Sequence, residues 1–143
     1  MKHRGRIVGI VLLAAVSGVA GAIEHEGLSA TLRQVVENNL AAFNGEDVSN
    51  TMRSIHTKSP EYADTLAALK DQFGALDART ELVSFRFIGH DDEFAVARVK
   101  FKTVNQSGAP FVANVLDTIT VFHQENGEWK YWSDQVLGVD ITP

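Results

Sequence analysis

The sequence predicts an α+β fold in which three N-terminal helices pack on an antiparallel sheet of four strands. Apolar residues recur at helical spacing through the first half of the chain, and from Arg79 onward they alternate with a period of two. Asn126-Gly127 separates two of the alternating segments and is typical of a tight hairpin turn. Helices followed by hairpin-linked strands predict one layer of helices over one face of a meander.

The first helix is predicted over residues 28–44, with Ser29 as its N-cap and Gly45 directly after its end. Its apolar residues share one face: Leu32, Val35, Val36, Leu40 and Phe43. Asp47 is a good N-cap for a short second helix. Ser59 followed by Pro60 predicts the start of the third, since proline is favoured at the first helical position.

Four strands are predicted over residues 79–88, 95–103, 111–123 and 129–139. Strict alternation in the last strand places Trp129, Tyr131 and Ser133 on one face. The same alternation places Trp132 on the opposite face, together with Lys130, Asp134 and Val136. Because aromatic residues beside charges suit a contact between chains better than a monomer core, Trp132 is a candidate for a dimer face.

Residues 1–22 have the three parts of an export signal. Lys2, Arg4 and Arg6 precede the apolar run 7–20, and Ala20-Gly21-Ala22 is a small-x-small cleavage site. We therefore expect export to the periplasm or the cell exterior, cleavage near Ala22, a short segment over 23–27 and one domain over 28–141. An uncleaved membrane anchor is the alternative, although a helix over the apolar run spans only ~21 Å of a ~30 Å hydrocarbon core.

Composition excludes several classes of function. Removing residues 1–22 leaves 10 basic against 18 acidic residues, a net charge of −8, so binding to nucleic acid or to an anionic membrane is not expected. The chain has no cysteine. The histidines after residue 22 lack metal-ligand spacing, and no dinucleotide or phosphate-binding motif occurs, so we expect no metal and no cofactor.

Three segments, residues 40–48, 55–62 and 126–130, carry a resemblance to a known family. The first ends a helix and turns into the next at Asp47, the second ends with Ser-Pro-Glu-Tyr, and the third is Asn-Gly-Glu-Trp-Lys. In this order they resemble the nuclear transport factor two-like superfamily, which includes ketosteroid isomerases, polyketide cyclases and dehydratases. The resemblance implies a cone-shaped domain with a strongly curved sheet wrapped around helix one, an internal pocket and homodimers through the sheet.

The resemblance also implies where a site would lie. The protonated acid of ketosteroid isomerases falls on Asp117, but Asn39 stands where their tyrosine is expected, and residues 58–60 supply no general base. The expected function is therefore binding of a small apolar molecule or a protein partner by an exported, non-catalytic domain. The alternative is an isomerase, dehydratase or cyclase that transfers a proton with His56 or Asp117.

Both candidate catalytic residues have simpler explanations that the sequence leaves open. Asp117 could pair with an arginine on a strand, and His56 could complement the dipole at the end of a helix. The pocket that the resemblance implies would be lined by five residues: Asn39, Tyr62, Phe85, Phe101 and Tyr131.

Overall fold

A computed structural model describes residues 16–141, with side chains in the first helix described from residue 21 onward. The helices are α1 Val16–Asn44, α2 Val48–Arg53 and α3 Tyr62–Ala75. The strands are β1 Leu76–His90, β2 Phe94–Gly108, β3 Asn114–Glu125 and β4 Glu128–Ile141, and they form one antiparallel sheet in the order β1-β2-β3-β4. The predicted α+β class, with helices packed against a curved four-stranded sheet, is confirmed.

Helix α1 supplies the centre of the core. Leu32 and Val36 are fully buried and pack against Val99, Phe122 and Tyr131 of the sheet. Because neighbouring turns of a helix present one apolar face, these residues fix the helix on the inner face of the sheet.

The start of α1 differs from the prediction. The helix begins at Val16, so Ser29 lies inside it and caps nothing. Residues 16–27 contain no proline that would interrupt the helix. Most of the predicted export signal lies outside the described residues, and Ala22 lies within α1 of the uncleaved chain. Within residues 16–141, no helix is long and apolar enough to cross a membrane.

The connection between α2 and α3 is anchored to the edge of β4. Asp47 is the N-cap of α2 as predicted, and its carboxylate accepts a hydrogen bond from the Asn50 amide at 3.0 Å. Helix α3 begins at Tyr62, later than predicted, because Ser59 forms the preceding turn. The Ser59 hydroxyl accepts from the Glu61 amide at 3.0 Å and donates to the Trp132 carbonyl at 2.6 Å.

A β-bulge changes which side chains of β4 face the helices. Tyr131 lies opposite Phe122 and Asp134 lies opposite Thr120, so Trp132 is the extra residue between them. Directly opposed residues of an antiparallel pair share a face. Asp134 therefore lies on the inner face with Tyr131, and the strict alternation predicted for this strand is wrong.

Two turn residues confirm the predicted hairpin between β3 and β4. Asn126 has φ 54° and Gly127 has φ 80°, and two consecutive positive φ angles are those of a type I′ turn. This turn brings Glu125 and Glu128 opposite each other at the end of the sheet.

Candidate functional site

Two neighbouring cavities lie between the helices and the inner face of the sheet. The small chamber has a volume of about 200 Å³ and the large chamber about 360 Å³. Both are lined by Asn39, Phe43, Tyr131 and Asp134. These shared residues make the two chambers one candidate site.

A larger concavity than either chamber lies elsewhere. It is a groove of about 780 Å³ between α1, α2 and the β3–β4 turn. Its charged residues are Arg53 and Glu128, which are exposed to solvent, and Lys130, which is paired with Glu125. Charges that are hydrated or already paired are weak markers of a functional site, so the two chambers are the stronger candidate.

The carboxylate of Asp134 is the principal ionisable group of the chambers. Its Oδ1 accepts a hydrogen bond from Thr120 Oγ1 at 2.6 Å, and Thr120 is fully buried. Asp134 lies on the edge strand β4, and the residue taken as a whole is exposed to solvent. Its carboxylate, however, is held at the inner face of the sheet by the hydrogen bond from Thr120. The carboxylate of Glu61 accepts from the Asp134 amide at 3.3 Å.

Burial raises the pKa of Asp134 to about 6. The hydrogen bond from Thr120 opposes this rise, and the negative charge of Glu61 adds to it. Asp134 is thus a carboxyl group that changes its ionisation close to neutral pH, which is typical of functional sites.

Tyr131 places a hydroxyl beside this carboxylate. The residue is only 7% exposed, and its hydroxyl makes no hydrogen bond to another residue within 16–141. Among the described residues, the one sealed side-chain polar atom without a partner is Asn105 Oδ1, so the Tyr131 hydroxyl is open to the chambers. Burial, together with the charge of Asp134, raises the pKa of Tyr131 well above its usual value, which keeps the hydroxyl protonated.

The predicted pocket residues divide into three groups. Asn39 and Tyr131 line both chambers, and Phe101 lines the large one. Tyr62 lines a separate groove between α2 and α3. Phe85 packs against the core and lines neither chamber.

Asn39 also holds two helices together. Its Nδ2 donates to the Thr51 carbonyl at 3.2 Å and to Ser54 Oγ at 2.6 Å. These bonds fix the distance between α1 and α2, and they thereby shape the roof of the small chamber.

Asp117 lies on the outer face of the sheet, opposite Lys100. Its carboxylate accepts hydrogen bonds from Arg98 Nε at 2.8 Å and Nη2 at 2.5 Å, and Lys100 Nζ lies 3.6 Å away. The hydrogen bonds from Arg98 lower the pKa of Asp117. A paired, ionised carboxylate outside the chambers cannot serve as the protonated acid that the resemblance implied.

His56 is buried but also lies outside the chambers. Its ring packs between His123 and Trp132, with ring centroids 4.7 Å and 5.0 Å away. Nδ1 accepts from the Lys58 amide at 3.0 Å and lies 3.2 Å from Glu125 Oε2. These contacts give His56 a packing role in the connection between α2 and α3.

Glu125 organises the polar network around His56. It accepts hydrogen bonds from the Thr57 hydroxyl and from the Thr57 amide at 2.9 Å, and it pairs with Lys130 Nζ at 3.0 Å. The hydroxyl bond contributes most to lowering the pKa of Glu125 to about 2. The network joins the β3–β4 turn to the segment before α3.

Sequence reasoning missed Asp134 as a site residue. The sequence did contain one signal for it, since Asp134 follows Tyr131 by three positions in a strand rich in aromatic residues. Strict alternation assigned it to the outer face, and the bulge at Trp132 reverses that assignment.

A family model matches residues 34–141, more than half of the chain, and it is described as the C-terminal domain of the anti-sigma-I factor RsgI9. The chain belongs to this family. As a member of the RsgI9 C-terminal domain family, it carries the two chambers within the matched range, because every residue that lines both lies between 39 and 134. A comparison with curated proteins gives no match.

The fold of this RsgI9 C-terminal domain family member is similar to those of solved nuclear transport factor two-like proteins. An NTF2-like protein from Cytophaga hutchinsonii has a TM-score of 0.62 and 15% identity, covering 73% of this chain and 93% of its own. A ketosteroid isomerase-like protein from Erwinia carotovora atroseptica has a TM-score of 0.57 and 12% identity, covering 77% and 96%. An NTF-2 like protein from Shewanella oneidensis has a TM-score of 0.57 and 11% identity, covering 75% and 96%. At these identities the similarity is one of fold.

Proposed function

We propose that this protein is an exported domain that binds a small molecule in the two chambers. The observation that carries the proposal is that Tyr131 and Asp134, a hydroxyl and a carboxylate residue, both line the two neighbouring chambers. Ligand sites combine apolar walls with a few convergent polar groups, and this arrangement has both features.

The walls of the large chamber suit the body of an apolar ligand. Phe43, Phe101, Phe111 and Leu116 all line it. Together the chambers fall within the range of roughly 300–1,000 Å³ that is usual for small-molecule sites. Aromatic and aliphatic surface of this kind gains free energy when a ligand displaces water from it.

Binding is favoured over catalysis by the positions of the residues first considered for chemistry. Neither His56 nor Asp117 lines a chamber, and both are held by contacts elsewhere. The family takes its name from a regulatory protein, an anti-sigma factor. We therefore propose that occupancy of the chambers acts as a signal and that the ligand leaves unchanged.

Proton transfer by Asp134 is the second candidate function. A carboxyl with a pKa of about 6 can act as general base near neutral pH, and the adjacent Tyr131 hydroxyl can donate a hydrogen bond to a developing oxyanion. An enzyme of this kind would convert a bound molecule into a different one over time. A binding domain would return the same molecule.

The test of the proposed function is native mass spectrometry on protein isolated from its host, with a cavity-filling variant. We expect a bound small molecule in the wild type and its loss in Leu116→Trp, because the indole fills the large chamber. Leu137→Trp is the matched control, since Leu137 is 52% exposed and lines neither chamber. Circular dichroism confirms that both variants fold.

A wild-type protein that carries no molecule would contradict the proposal, as would equal retention by both variants. Export is tested on the same material. Intact mass should place the N-terminus directly after Ala22, whereas a chain that retains residues 1–22 would argue against cleavage.

The proposal includes a homodimer through the outer face of the sheet. Apolar residues at the centre of this face are partly exposed: Val96, Ile119 and Val121. Burying such a surface in a twofold contact removes it from water. Light scattering at micromolar concentration should give a dimer mass for the wild type and a monomer mass for Ile119→Lys. A monomeric wild type would refute the dimer.

A further inference from the structure

The chambers contain negative charge with no basic side chain to balance it. Asp134 lines both chambers and Glu61 lines the small one. None of the described residues that line either chamber is lysine, arginine or histidine. An anionic ligand would meet two carboxylates and no cation, whereas a cationic ligand would relieve the repulsion between them.

The two carboxylates also have unused hydrogen-bonding capacity. Within residues 16–141, Asp134 Oδ1 bonds to Thr120, and Oδ2 accepts no hydrogen bond. Glu61 accepts from the Asp134 amide at 3.3–3.4 Å, which leaves further lone pairs free. An ammonium group has three donors, and it matches two carboxylates with open acceptor positions.

The hydroxyl of Tyr131 is a further polar group that a ligand could bind, independent of the two carboxylates. It is more than nine-tenths buried and lines both chambers, yet its hydroxyl has no hydrogen-bond partner among the described residues. Because this hydroxyl is open to the chambers and its donor and acceptor positions are unused by the described residues, a ligand with a matching polar group at this point would be stabilised.

The aromatic rings complete the environment. Phe43, Tyr131 and Trp132 line the small chamber together with both carboxylates. Aromatic faces attract cations, and the attraction increases when water is excluded. Apolar residues of the large chamber then accommodate the rest of the ligand.

We infer that the chambers select a small organic amine, whose ammonium group binds Asp134, Glu61 and the Tyr131 hydroxyl while its apolar body occupies the large chamber. This inference rests on the proposed small-molecule binding and specifies the class of ligand. It also separates the site from one built to stabilise an oxyanion, since two ionised carboxylates would repel a developing negative charge.

The test compares three probes of one shape by isothermal titration calorimetry with the full-length chain at pH 7.5. The probes are 2-phenylethylamine, 2-phenylethanol and phenylacetate, which present a cation, a neutral hydroxyl and an anion. We expect the amine to bind at least tenfold more tightly than the alcohol, and we expect no detectable binding of phenylacetate. Ionic strength is matched so that the charge of the probe is the variable.

Matched variants identify the carboxylate responsible. Asp134→Asn should weaken binding of the amine at least tenfold and leave the alcohol nearly unchanged. Asp117→Asn makes the same chemical change on the outer face and should alter neither. Amine affinity should also fall about tenfold between pH 7 and pH 5, because Asp134 becomes protonated below a pKa of about 6 while the amine stays charged.

Three outcomes would overturn the inference. Tighter binding of the alcohol or of phenylacetate would refute the amine class and leave the proposed binding function intact. Equal losses in Asp134→Asn and Asp117→Asn would show a non-specific charge effect. Absence of binding by all three probes would also refute the amine class, and the mass-spectrometric comparison would then decide the proposed function separately.

Discussion

Replacing Asp134 with asparagine is expected to stabilise the folded protein at pH 7, although the same change removes the charge that we assign to ligand binding. The asparagine side chain has nearly the same shape, and its amide oxygen can still accept from Thr120 Oγ1. What disappears is a carboxylate whose ionised form is disfavoured by burial and by the charge of Glu61. Sites that bind ligands often reduce stability in this way.

The pH dependence gives the sign of the effect. The pKa of Asp134 rises from its ordinary value of 3.8 to about 6 in the folded protein, so the folded state holds this proton more tightly than the unfolded state. Its contribution to stability is fully present below about pH 4 and is lost as the pH rises through about 6. Because the residue keeps contact with solvent, we expect a loss on the order of 1 kcal/mol, less than full shielding would give.

Urea denaturation at pH 4 and at pH 7 measures this effect. The wild type should lose stability between the two values relative to Asp134→Asn, and the variant should have the higher urea midpoint at pH 7. Thr120→Val is an informative second variant, because loss of its hydrogen bond should raise the pKa of Asp134 further. If Asp134→Asn were less stable than the wild type at pH 7, the ionised carboxylate would be a stabilising group, which contradicts the expected cost of its burial.

Replacing Glu125 with alanine is expected to destabilise the protein by about 2–3 kcal/mol. Its side chain is 14% exposed and binds Thr57 and Lys130, and it also lies 3.2 Å from His56 Nδ1. Removal would leave Lys130, which is equally buried, without its carboxylate. The connection between α2 and α3 would lose its link to the β3–β4 turn.

Glu128→Ala is the matched control for Glu125→Ala. Glu128 lies opposite Glu125 across the same turn but is exposed, so its removal should change the free energy of unfolding by less than about 0.5 kcal/mol. Chemical denaturation at pH 7 compares the two. Equal changes in the free energy of unfolding for the two variants would mean that the hydrogen bonds and ion pair of Glu125 do not stabilise the fold.

The contribution of Glu125 to the stability of the fold should decrease as the pH falls, whereas that of Asp134 decreases as the pH rises. The pKa of Glu125 falls from 4.5 to about 2 on folding, so its stabilising contribution is present above about pH 4.5 and is lost as the pH falls towards 2. The wild type should therefore lose stability across this acidic range, and Glu125→Ala should lose less. A parallel decline in both proteins would contradict the assigned network.

Local sequence signals determined much of this fold. The change from helical spacing to alternation predicted the α+β class, Asp47 predicted the start of α2, and Asn126-Gly127 predicted the β3–β4 hairpin. Each signal acts within a few residues, since caps, turns and apolar faces are set by neighbours along the chain. The resemblance carried by three segments also predicted a fold that solved nuclear transport factor two-like structures share with this chain.

The positions of the charged groups were decided by tertiary contacts. Alternation along a strand predicts which face each side chain occupies only where every residue has one partner on the neighbouring strand. Trp132 is an extra residue in β4 without such a partner, so the prediction fails beyond it. No local motif marks this bulge, whose neighbourhood is held by bonds from a distant segment, including Ser59 Oγ to the Trp132 carbonyl and the His56 amide to the Tyr131 carbonyl. By itself the sequence determined the elements and their order. The pairing of β4 with β3 decided that Asp134 faces the chambers, and the pairing of β3 with β2 placed Asp117 on the outer face, because register is fixed by contacts between residues far apart in the chain.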